Sequence, residues 1–121
     1  MDYTTIADRY LAVFNETDAA HRRELVDALF APDCRYTDPA VDVSGPAGVD
    51  GFLAATQEHY PGVRFTVGGP VDGHHHQARF QWHAAPDGAA DPLAIGFDVV
   101  VLDDDDRIAR VHGFVDQAPP A

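Results

Sequence analysis

Cysteine is nearly absent: Cys34 is the only one in 121 residues. No disulfide can form within the chain, so its stability does not call for an oxidising compartment. Nothing beside Cys34 marks an activated thiol, and it reads as a small core residue. Serine is equally scarce. Ser44 stands alone, before Gly45 and Pro46, and reads as a helix cap rather than a nucleophile. Positive charge is also short, with 8 basic against 20 acidic residues and a formal net charge of −12. A nucleic-acid binder needs a basic footprint, and an anionic membrane surface attracts one, so the balance argues against both partners. The opening "MDYTTIADRY" has no basic n-region and no long apolar run follows it. Neither a signal peptide nor a membrane-spanning helix is read there, and a cytoplasmic location is expected. The pair Gly68–Gly69 reads as a turn, not as a phosphate-binding loop.

What is present is apolar and periodic. At 45% hydrophobic residues the chain can bury a core, and its length suits one domain over residues 1–121. Only the tail "QAPPA", residues 117–121, reads as disordered. Ile6, Tyr10, Val13 and Phe14 make one face of a helix over 3–16. Asp18 caps a second helix, over 19–31, with Leu25, Val26, Leu29 and Phe30 inward and Pro32 to stop it. "DCRYTD", 33–38, is a short strand that ends at Pro39, and "AVDVSG" is a loop. Pro46 suits the first turn of a third helix, whose inward face is Val49, Phe52, Leu53, Thr56 and Tyr60.

After Gly62 the pattern turns to strands: "VRFTVGG", "HHHQARFQWHA", "PLAIGFDVVVLD" and "RIARVHGFVD". The short separators between them imply antiparallel pairing. The expected fold is α+β, with helices packed on one face of a curved antiparallel sheet. Asp98 lies in the middle of one strand, "AIGFDVVVLD". An ionised carboxylate is costly to bury there unless it is paired or takes up a proton.

The stretches "RYLAVFNETD", "LFAPDCRYTDP", "SGPAGVDGF" and "GFDVVVLDDDDRI", in this order, resemble the nuclear transport factor 2-like superfamily over residues 3–116. That superfamily includes ketosteroid isomerases, SnoaL-like polyketide cyclases and limonene-epoxide hydrolases. The resemblance implies a cone-shaped sheet around three helices, an apolar pocket, and a homodimer through the outer sheet face. It is closest to ketosteroid isomerase at three positions: Tyr10 in "RYLAVFN", Asp38 in "YTDP" and Asp98 in "GFDVVVLD". By that likeness Asp38 is a general base, Tyr10 donates to the oxyanion, and Asp98 stays protonated as a second donor. Phe14, Tyr36, Phe52, Thr56, Phe80, Trp82, Val100 and Val111 are the expected substrate contacts.

The implied activity is cofactor-free acid–base chemistry on a small apolar carbonyl compound, of isomerase or cyclase type. The alternative is a binding or dimeric scaffold domain that keeps the pocket without the chemistry. The chain departs from ketosteroid isomerase at Leu53, where a supporting tyrosine is expected; Tyr36 or Tyr60 would have to stand in. The Arg-x-Asp pair of an epoxide hydrolase is replaced by Gly96-Phe97-Asp98, with Arg79 a substitute only if it faces Asp98. A cyclase would offer His112 or His76 as acid–base groups. In a strand His74 and His76 would share a face, near His83 or His112, but no metal-ligand spacing accompanies them and no metal is expected. "DDDD", residues 103–106, reads as a solvated hairpin turn.

Overall fold

The computed structural model describes residues 2–120. Asp2 caps the first helix, α1 (Tyr3–Asn15), by accepting the Thr4 amide, and the expected face of Ile6, Tyr10, Val13 and Phe14 is buried. Asp18 caps α2 (Ala19–Leu29) through the His21 amide. The end of this helix corrects the expectation. It stops at Leu29, and β1 (Phe30–Thr37) begins at once and runs through Pro32. Proline is tolerated because the pairing of β1 with its neighbour β7 (Ile108–Gln117) shifts register between Phe30 and Arg35, so no ladder donor is needed at that point.

The next segment is also a correction. The expected loop holds a strand, β2 (Asp42–Ser44), paired antiparallel with β1 and fastened by a bidentate Arg35–Asp42 contact. Ser44 precedes α3 (Gly45–His59) at the cap position, yet its side chain makes no capping bond.

Five further strands follow: β3 (Val63–Val67), β4 (Asp72–His74), β5 (Gln77–Pro86), β6 (Ala94–Leu102) and β7 (Ile108–Gln117). The sheet order is β2-β1-β7-β6-β5-β3, with β4 paired to β5 off this path. All pairs are antiparallel except β1 with β7. The sheet is curved and does not close, and the helices fill its concave side, as the α+β reading expects. Its outer edge at β3 is sealed by Asn15, whose side-chain amide bonds both the N–H and the C=O of Phe65.

The histidine run is not a strand. His74 ends β4, while His75 and His76 form the turn with φ of 50° and 62°. His74 and His76 therefore share no strand face. "DDDD" is a turn, closed by Asp103, which accepts the Asp105 and Arg107 amides. The expected tail is shorter than read: Gln117 belongs to β7, Ala118 and Pro119 lie against the pocket, and Ala121 is outside the described residues. Among the described residues no helix is long and apolar enough to cross a membrane, and no group of three or more histidine, cysteine or acidic side chains is placed to hold a metal ion.

Candidate active site

The sheet face that packs on the helices is built by alternation. Along β6 the buried positions are Ala94, Gly96, Asp98, Val100 and Leu102, so Asp98 must point inward with the core. Its side chain is 3% exposed. Tyr10 reaches it from α1, donating its hydroxyl to Oδ2 at 2.6 Å. Trp82 reaches it from β5, donating its indole N–H to Oδ1 at 3.1 Å. At the end of β1 the same alternation places Tyr36 beside Asp38, the residue just past the strand. Tyr36 donates its hydroxyl to Asp38 Oδ2 at 2.7 Å, and Oδ1 accepts the amides of Ala40 and Val41. Asp38 thus shapes the turn at Pro39 and faces the pocket with one carboxyl. Gly113 on β7 separates the two acids. A Cβ there would stand 3.0 Å from both Asp38 Cβ and Asp98 Oδ1.

These groups open on one cavity of about 330 Å³, the lower end of the size of small-molecule sites. Phe14, Tyr36, Phe52, Thr56 and Trp82 line it, as expected. Thr56 gives its hydroxyl to the Phe52 carbonyl, within its own helix. Phe80, Val100 and Val111 do not line the cavity. They are fully buried beneath it, because the Tyr10 ring packs on Phe80 at 5.5 Å and Tyr10 and Asp98 close the floor above them. Leu11, Phe65, Tyr60 and Val115 line the wall instead, with Leu93, Ala118 and Pro119 among the other lining residues. Phe65 was legible, since Val63, Phe65 and Val67 are the inward positions of β3; the others depend on which ends of the elements meet.

The electrostatics bear on the role expected of Asp98. Burial is the chief influence on Asp98 and raises its pKa to about 6, against the Tyr10 and Trp82 hydrogen bonds, which favour the charged form. In the observed geometry Asp98 accepts from Tyr10, while burial favours its taking up a proton. Burial likewise pushes the Tyr10 and Tyr36 hydroxyls well above the usual phenol range, with the Asp98 charge next in both. Both stay protonated as donors. Tyr36, not a residue of α3, supplies the second tyrosine; Leu53 is buried core.

The remaining candidates lie elsewhere. Arg79 pairs in register with Val99 and contacts Asp72 at the surface, so it does not face Asp98 and the epoxide-hydrolase pattern is missing. His112 is exposed on β7, and His76 sits in its turn with its amide donated to the Tyr3 hydroxyl. Neither lines the cavity.

A SnoaL-like domain model matches residues 7–111. A SnoaL-like protein from Agrobacterium tumefaciens strain C58, provisionally named an isomerase, is 39% identical, with a TM-score of 0.90 over 94% of this chain and 97% of that one. A protein from Jannaschia sp. CCS1, provisionally named a SnoaL-like polyketide cyclase, is 20% identical, with a TM-score of 0.70 over 94% and 87%. A protein from Catenulispora acidiphila with a ketosteroid isomerase-like fold, solved in complex with trimethylamine, is 18% identical, with a TM-score of 0.71 over 93% and 85%. These two share the fold. No curated protein matches the chain. The matched span covers most of the chain and includes Tyr10, Asp38 and Asp98, so the protein belongs to the SnoaL-like domain family.

Proposed function

We propose that the protein is a cofactor-free acid–base catalyst that moves a proton within a small apolar carbonyl compound, as an isomerase or a cyclase does. The observation that carries this reading is convergence: Asp38, Tyr36, Tyr10 and Asp98 all face one apolar cavity. Removing a proton beside a carbonyl puts charge on the oxygen, and the cavity has groups for both ends of that change. Asp38 is the base. Its Oδ1 is held by two backbone amides, and its Oδ2 exchanges the Tyr36 bond for the substrate proton. Tyr10 is the donor to the oxyanion.

Asp98 governs Tyr10. While Asp98 is ionised, the Tyr10 hydrogen is committed to it. A proton on Oδ2 reverses that bond: the acid donates to the Tyr10 oxygen, and the Tyr10 hydrogen turns to the substrate. An apolar substrate that displaces water favours this protonated form. The provisional isomerase and cyclase names of two relatives support the same class of chemistry. The reading also carries a homodimer through the outer sheet face, where Phe114 is 60% exposed and pairs in register with Phe97.

The test is turnover of a β,γ-unsaturated ketone, followed by the ultraviolet absorbance of the conjugated product. The wild type is expected to turn over, and Asp38→Asn to lose at least about 100-fold in kcat. With Asp98 as the required acid, kcat/KM is expected to fall as pH rises through about 6. If a panel of ketones and esters binds but wild type and Asp38→Asn give equal background rates, the catalytic reading fails and the pocket is a binding site.

A further inference from the structure

Trp82 and Gly96 are register partners on β5 and β6. A Cβ at position 96 would lie 2.0 Å from the Trp82 ring and 2.7 Å from the Phe114 carbonyl oxygen, so only glycine leaves room for the indole against β6. Phe65 packs on the indole from β3, with ring centroids 5.5 Å apart. Asp98 is two residues beyond Gly96 on the same strand face, a diagonal neighbour that a long side chain can reach. The indole spans that offset and delivers its N–H to Oδ1.

An indole N–H donates and never accepts. A proton on Oδ1 would find no acceptor in Trp82, whereas one on Oδ2 finds the Tyr10 oxygen 2.6 Å away, so Oδ2 is the oxygen favoured to carry it. We propose that Trp82 is a positioning residue, held over Gly96, that occupies one oxygen of Asp98 so that the other alone exchanges a proton with Tyr10. Its catalytic consequence rests on the proposed reaction; its geometry does not. The titratable groups that face Asp98 are Tyr10 from α1, Tyr36 from β1 and Asp38 just beyond it, while β5 supplies Trp82 and β7 only the Phe114 backbone.

The test replaces Trp82 by 3-benzothienylalanine, which keeps the bicyclic shape and puts sulfur where the N–H was. The Asp98 carboxyl is followed by carbon-13 NMR and assigned by its loss in Asp98→Asn. Removing one donor to the charged form is expected to move its midpoint from about 6 to about 7 or higher. The pH at which kcat/KM declines is expected to move with it. Gly96→Ala, which leaves Trp82 and Asp98 in the sequence but removes the room, is expected to shift the midpoint the same way. An unchanged midpoint in the folded benzothienyl protein overturns the positioning role. If that analogue does not fold, the midpoint of Trp82→Phe decides instead. If the wild type shows no turnover while the midpoint moves, the positioning holds and the proposed reaction is what fails.

Discussion

Burial pushes the Asp98 carboxyl up to about 6, against about 4 for a free carboxyl, so its charged form works against folding. Its contribution to stability is full below the unfolded carboxyl range and is lost as pH rises through about 6. Above that the buried charge costs on the order of 3 kcal/mol. Asp98→Asn is therefore expected to be more stable than the wild type at pH 8, by about 2 kcal/mol in urea unfolding, with the gap shrinking toward pH 5. A gap that widens toward pH 5 would show that the charge is stabilised by its surroundings. The same substitution removes the acid proposed to free Tyr10, a gain in stability against a loss of activity. At this scale the acids were legible in the sequence. A lone carboxyl in an apolar strand and an aspartate before proline both stand out. Their partners were not, because Trp82 meets Asp98 through the register of two strands and a glycine between them, which no local window contains.

Elements were legible where their period is long. The three helices and the four long strands follow from apolar spacing and turns. β2 and β4, each of three residues, carry too little alternation to read, and β1 overrode the signal of Pro32 because its pairing skips that point. What holds the helices together was equally hidden. Arg22 of α2 is buried and donates to Asp50 and Gln57 of α3, while Gln57 donates to the Phe14 and Glu16 carbonyls at the end of α1. These two side chains thus tie together three helices, which hold Tyr10, Phe14 and Phe52 around the cavity. Arg22→Ala is expected to lower the stability by about 3 kcal/mol, seen as a lower urea midpoint with unchanged slope. A loss within experimental error would show the network to be dispensable.

At the scale of the whole molecule, β6 is apolar on both faces, and the helices cover only the inner one. On the outer face Phe114 is exposed, and Phe97, Val99 and Val101 are only partly buried. A dimer through this face is expected by sedimentation, and Phe114→Asp is expected to give monomers with the fold intact. Since each copy carries a formal net charge of −12, association is expected to tighten as salt screens the repulsion. A monomeric wild type at millimolar concentration would remove the dimer. Another consequence is optical. Trp82 is the only tryptophan in the chain, and it stands in the wall of the cavity with its N–H on Asp98. Every photon of indole emission therefore originates at the site. Screening compounds by quenching or spectral shift needs no label and no substrate, and it works for whatever molecule the pocket holds.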